Sequence, residues 1–174
     1  KTTIKKIKEK KLFKTAKAES KEASLMLSNA DLIFVCVSPN NIEEVFKTIK
    51  QSDTKKNLIV SDVASIKSDV VLLAKKYLKK ISFVGGHPIA GTEKSGFQNS
   101  DPNLFKNKIF IVSGSHGSKK CVGTISSIWR KLGTKVLTLD PKKHDKVFAY
   151  LSHLPHALSF CLSKTALKNF SKND

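Results

Sequence analysis

Apolar residues in this chain follow two rhythms. Five runs are almost continuously apolar: DLIFVCVSP (31–39), NLIVSDV (57–63), ISFVGG (81–86), KIFIVSG (108–114) and KVLTLD (135–140). Short runs bounded by polar, proline or glycine residues predict strands, and the unbroken first run predicts burial on both faces. Between them, apolar positions recur every three or four residues, as a helix with one buried stripe requires. SKEASLMLSNA predicts a short helix ending at Asn29. NNIEEVFKTIK predicts another, with Asn40 or Asn41 as N-cap and acidic residues in the first turn. A third, from about Ser65, puts Ile66, Val70, Leu73 and Tyr77 on one stripe. In SKKCVGTISSIWRKLG the face is Val122, Ile125, Trp129 and Leu132, with Gly133 as the stop signal. Residues 4–13 are lysine-rich and weakly helical.

Strands alternating with helices predict βαβ units, hence an α/β fold with a mostly parallel sheet. From Pro141 the rhythm becomes one long helical pattern with Val147, Leu151, Leu154, Leu158, Cys161 or Leu162, and Thr165 on a common stripe. Pro141 suits a first helical turn, whereas Pro155 should kink or divide the helix. That stripe needs a partner surface, so residues 141–174 read as the start of an all-helical domain.

Composition narrows the function classes. At 174 residues, 40% hydrophobic and 26% charged, the chain reads as a soluble domain with its own core. Its longest apolar run is far too short to cross a bilayer. The only methionine is Met26 and residue 1 is lysine, so we read the chain as a fragment or a processed product. Cys36, Cys121 and Cys161 share no close spacing, which argues against disulfides or zinc and for small buried hydrophobes in a reducing cytoplasm. The net charge of +18 invites a nucleic-acid reading. Of 32 basic residues, however, Arg130 alone is arginine, and most phenylalanines fall inside apolar runs. Specific readout favours arginine and exposed aromatics, so no specific nucleic-acid partner is expected.

In an open parallel sheet the ligand crevice lies beyond the carboxyl ends of the strands. The first strand stops at Ser38-Pro39, the second at Asp62 with Ser65 beyond it, and the third at Gly85-Gly86-His87-Pro88. Glycine before His87 permits close approach of another molecule, and proline stiffens the turn. A histidine there either exchanges a proton near neutral pH or merely hydrogen-bonds its own loop. His153 and His156 share a helix face at i, i+3, but no carboxylate or cysteine at helical spacing completes a metal set. His116 and His144 read as a solvated loop residue and a solvated helix-start residue. A GxGxxG phosphate turn occurs nowhere in the sequence.

Three stretches in order, SDVASIK (61–67), FVGGHPIAGTEKSGF (83–97) and LSHLPHALSF (151–160), closely resemble the prephenate and arogenate dehydrogenases of tyrosine biosynthesis. The likeness runs from about Leu12 to Thr165. It implies an incomplete Rossmann-like, doubly wound dinucleotide-binding domain over residues 1–140. Residues 141–174 would then open a helical substrate and dimerisation domain. The implied reaction is oxidative decarboxylation of prephenate to 4-hydroxyphenylpyruvate with hydride transfer to NAD or NADP. Arogenate dehydrogenase is the alternative within the family, and a non-catalytic or basic nucleic-acid-binding module the alternative outside it. By the resemblance His87 is the catalytic base and Ser65 orients it and the nicotinamide. Thr92, Glu93, Ser152, His153 and His156 face substrate, and Ser38 and Pro39 stand beside the cofactor. Glu93 and Lys94 also admit plainer roles as a loop cap and a solvated cation. The resemblance further implies a cytoplasmic homodimer when full length, with the isolated chain inactive.

Overall fold

The computed structural model describes residues 20–92 and 96–169. Glu93 and Lys94, and the lysine-rich segment 4–13, lie outside the described residues. The elements in chain order are α1 (Lys21–Asn29), β1 (Leu32–Val35), α2 (Ile42–Gln51), β2 (Ile59–Asp62), α3 (Ser68–Tyr77), β3 (Ser82–Ile89), β4 (Ile109–His116), α4 (Lys119–Lys131), β5 (Lys135–Thr138), α5 (Pro141–Phe148) and α6 (Leu154–Asn169). A π-helical turn, Ala149–His153, joins the last two.

The five strands among the described residues form one sheet in the order β1-β2-β3-β4-β5. All neighbours are parallel except β3 and β4, which pair antiparallel. The physical reason is the connection. A parallel neighbour needs a crossover, usually a helix, and the segment after Ile89 holds only the short 3-10 turn Phe97–Asn99 among its described residues.

Two apolar clusters fill the faces of the sheet. One packs Ile42, Phe46 and Ile49 of α2 and Val70, Val71 and Ala74 of α3 against Val35, Val60 and Phe83. The other packs Cys121, Ile125 and Trp129 of α4 against Val84, Phe110 and Val112. Trp129 stacks on Phe110, with centroids 4.2 Å apart, and meets Phe34 and Phe105 edge-on. Burying aromatic rings of this size dominates core energetics, at roughly 1.5–3 kcal/mol per fully buried large apolar side chain.

Helix ends follow local chemistry. Ser20 caps α1 by accepting the Ala23 N–H at 3.1 Å. Asn41 holds the N-cap position of α2 without a side-chain cap bond, because Pro39–Asn41 forms a 3-10 turn that leads into the helix. Gly133, at φ +87°, supplies the left-handed residue just beyond α4.

Several sequence expectations need correction. In β1 only Val35 is buried, and among the described residues this strand stands at one end of the sheet. Cys36 and Cys161 are exposed, and Cys121 alone among the cysteines is buried. Leu132 ends α4 at 48% exposure rather than continuing its buried face. His116 closes β4 instead of lying in a loop, and its Nε2 lies 3.0 Å from the Leu78 carbonyl.

Candidate active site

The local sequence around His87 builds a strand rather than a loop. β3 runs on through Gly85-Gly86-His87-Pro88 to Ile89, with a register shift between Val84 and Gly86 where it bends along β4. The paired glycines serve the sheet itself. A Cβ on Gly85 would meet the Ser113 carbonyl oxygen at 2.2 Å, and one on Gly86 would meet the Phe110 ring at 2.5 Å and the Asp62 carbonyl oxygen at 2.8 Å. The close neighbours are the protein's own backbone and core, not an incoming molecule.

A buried ion pair pins the same bend. Asp62, at the end of β2, and Lys67, just before α3, are both fully buried and hydrogen-bonded to each other. Lys67 Nζ also donates to the Gly86 carbonyl at 2.7 Å. Asp62 accepts the Gly86 N–H at 3.1 Å and the Ala64 N–H at 2.9 Å. Two side chains thus tie the end of β2 and the β2–α3 loop to the residue preceding His87. Burial pushes the Lys67 ammonium down from its ordinary value, while Asp62 pulls it back up.

His87 is half-buried and faces α5. Its Nδ1 lies 2.9 Å from Nε2 of His144, and His144 Nδ1 lies 2.8 Å from Oδ1 of Asp145. Phe148 packs against both rings, at centroid distances of 5.0 and 4.7 Å. Burial, followed by the nearby His144, Lys67 and His153, pushes the His87 pKa down to about 4, with Asp145 acting the other way. The ring is therefore neutral at physiological pH, as a proton acceptor must be.

His87 borders a cavity of about 400 Å³ together with Ser65, Gly91, Lys108, Ser152 and His153. The serine of the β2–α3 loop, the third strand's histidine and the π turn's Ser152-His153 are thus brought together around one space. Thr92 is exposed and directly follows the wall residue Gly91. His156 is exposed one turn further along, in α6, and Ser38 and Pro39 stand at the carboxyl end of β1. None of these three is on the cavity wall. Among the described residues no group of three His, Cys, Asp or Glu side chains is arranged to hold a metal.

Sequence reasoning missed His144, Asp145, Lys67 and Lys108. His144 is fully buried, contrary to the expectation of a solvated helix-start residue. The signal was present: His144 precedes Val147 by three and Phe148 by four, so it continues the apolar stripe of α5. Nothing in local spacing marks Lys67, whose burial depends on strand ends distant in sequence.

Two family models match the chain: the nucleotide-binding domain of prephenate dehydrogenase over residues 4–138 and its dimerization domain over residues 140–174. The prephenate dehydrogenase of Lactococcus lactis is 36% identical over 135 residues, covering 76% of this chain and 36% of that protein. Among solved structures, the prephenate dehydrogenase of Aquifex aeolicus in complex with hydroxyphenyl propionate and NAD+ aligns with a TM-score of 0.87 at 29% identity. That alignment covers 98% of this chain and 58% of the other. Synechocystis arogenate dehydrogenase aligns with a TM-score of 0.79 at 27% identity, covering 99% and 60% respectively. The chain spans less than half the length of the curated relatives it matches. The motifs, the sheet and both family models agree: this chain belongs to the prephenate/arogenate dehydrogenase family.

Proposed function

We propose that this chain supplies the catalytic base of a prephenate dehydrogenase that converts prephenate to 4-hydroxyphenylpyruvate. The observation that carries this reading is one cavity bordered by His87, Ser65, Ser152 and His153, with His87 neutral and rigidly packed. Prephenate is a cyclohexadiene with a hydroxyl at C4 and a carboxylate at C1. His87 takes the hydroxyl proton as C4 loses hydride, and departure of CO₂ from C1 leaves an aromatic ring. The substrate thus gives up a hydride and CO₂ overall. The electron pair of the C1–carboxylate bond flows through the ring to the C4 oxygen, which takes back the proton held by His87, and aromatisation drives the step. General-base help of this kind contributes about 10²–10⁴-fold.

Ser65 orients the imidazole and the nicotinamide in this reading, while Thr92, Glu93, Ser152, His153 and His156 face the substrate. Lys108, exposed on the cavity wall, offers the positive charge that a dicarboxylate calls for. NAD or NADP, when bound, supplies the hydride acceptor. The described residues fit its nicotinamide end: Ser38-Pro39 and Ser65 are polar or compact groups at the carboxyl ends of parallel strands. We assign no pyrophosphate contact to this chain, since no GxGxxG turn occurs in it. We divide the chain at Asp140, with residues 1–140 on the cofactor side and 141–174 opening a helical domain through which the full-length protein forms a homodimer.

Arogenate is a second substrate reading, supported by the likeness to Synechocystis arogenate dehydrogenase. Rates of NADH and NADPH formation by the full-length protein carrying this chain, measured with each substrate, separate the readings. Faster turnover of prephenate is the expected result, and turnover of neither substrate would overturn both.

A further inference from the structure

We infer that Asp145, His144 and His87 form a carboxylate–imidazole–imidazole chain that fixes the His87 proton on Nδ1 and presents Nε2 as the acceptor. Its catalytic meaning rests on the dehydrogenase reading, but the proton assignment rests on the hydrogen-bond geometry together with an ionised Asp145 and neutral rings.

The assignment begins at Asp145. Its Oδ1 accepts the Lys67 N–H and its Oδ2 the Ser68 N–H, both at 2.8 Å, at the start of α3. Burial raises the carboxyl pKa, but the bonds from Ser68, His144 and the Lys67 amide outweigh it and hold the group at about 2. An ionised carboxylate only accepts, so His144 Nδ1, 2.8 Å away, must donate. His144 is fully buried, and burial pushes its pKa down despite Asp145. As a neutral ring it has one donor nitrogen and one acceptor nitrogen. Its Nε2 is therefore the acceptor, and His87 Nδ1, 2.9 Å away, must carry the hydrogen. A neutral His87 then has its lone pair on Nε2.

The direction of two successive hydrogen bonds thus follows from one carboxylate held by two backbone amides. Phe148 packs on both imidazoles and restrains the rings in this alignment. The other charged or titratable groups facing the pair are Lys67 and Asp62 from the β2–α3 side and His153 from the π turn. When the substrate O–H bond breaks, an Nε2–H bond forms on His87. His144 and Asp145 gain and lose no proton, and the new imidazolium keeps its Nδ1–H bond to His144. Both are positioning residues.

The test is a long-range ¹H–¹⁵N correlation spectrum of the histidine side chains near neutral pH, recorded without substrate. In the wild-type chain His87 and His144 should each be protonated at Nδ1 and bare at Nε2. His144→Phe keeps the buried ring volume but removes the acceptor, so His87 should shift toward the Nε2–H tautomer that free histidine favours in water. His144→Gln retains an acceptor oxygen and should restore the Nδ1–H form. In the full-length enzyme, His144→Phe should lower kcat by about 10- to 100-fold with little change in KM, and His144→Gln should recover part of it. A wild-type His87 protonated at Nε2, or one whose tautomer is unmoved by His144→Phe, overturns the inference. If His144→Phe does not fold, the wild-type spectrum decides. A correct spectrum with no turnover on either substrate would instead count against the dehydrogenase reading.

Discussion

The neutrality of His87 has a consequence for stability as well as for chemistry. Its pKa falls from an ordinary 6.5 to about 4, so between those values the unfolded chain binds more protons at this site than the folded one. Stability therefore rises with pH across that window and is lost as pH falls through it. Burial pushes His144 in the same direction. Asp145, lowered from 3.8 to about 2, extends the loss further: its contribution, complete above about pH 4, disappears as pH falls toward 2. Urea midpoints should decline steadily from near neutral pH to about pH 4. A midpoint that stays level over that range would contradict the buried, neutral state assigned to the two histidines. The histidine at 87 stands out in the sequence because glycines, a proline and a polar loop surround it. The one at 144 reads as an ordinary helix-start residue until its place on the apolar stripe is counted.

At the scale of elements, the bend of β3 is held by the Asp62–Lys67 pair and by glycines that allow β4 and Phe110 to approach. Removing one partner of a buried pair leaves the other charge uncompensated, at a cost of about 3–5 kcal/mol. Lys67→Met should lose stability of that order in urea unfolding, because Asp62 and the Gly86 carbonyl would keep their burial without their cation. A loss below about 1 kcal/mol would show that the pair is not what holds the bend. Strand and helix positions were legible because apolar periodicity reports burial directly. The antiparallel return of β4 was not read from the sequence: the alternation of strands and helices elsewhere set the expectation of parallel neighbours, and the lack of a helical pattern after Ile89 did not register against it. The extension of β3 through His87 and Pro88 was not legible either, since glycine and proline read locally as a turn. The division near Pro155 takes the form of a π-helical turn just before the proline, and this turn aims Ser152 and His153 at the cavity. Such turns often occur at functional sites.

For the whole molecule, the informative contrast lies between the filled sheet faces and the bare face of α6. Leu158 is 55% exposed and Leu162 71%, alongside exposed Leu154, Phe160 and Leu167. Monomeric proteins rarely leave so continuous an apolar surface uncovered, which accords with the match to a dimerization domain. Sedimentation velocity should show mass above the 19.2 kDa of one chain as concentration rises. The pair Leu158→Glu and Leu162→Glu should return it to a monomer. Concentration-independent monomers in the wild type would exclude association through this face. The stripe itself was readable from Pro141 onward, but what covers it depends on surfaces that no local pattern encodes. Among the described residues no helix is long and apolar enough to cross a membrane. The most direct test of the central claim, an imidazole that accepts the hydroxyl proton as hydride departs, is prephenate-dependent NAD(P)H formation by the full-length enzyme carrying His87→Ala. A fall in kcat of about 10²–10⁴-fold with the fold intact is the expected result, and turnover near that of the wild type would contradict it.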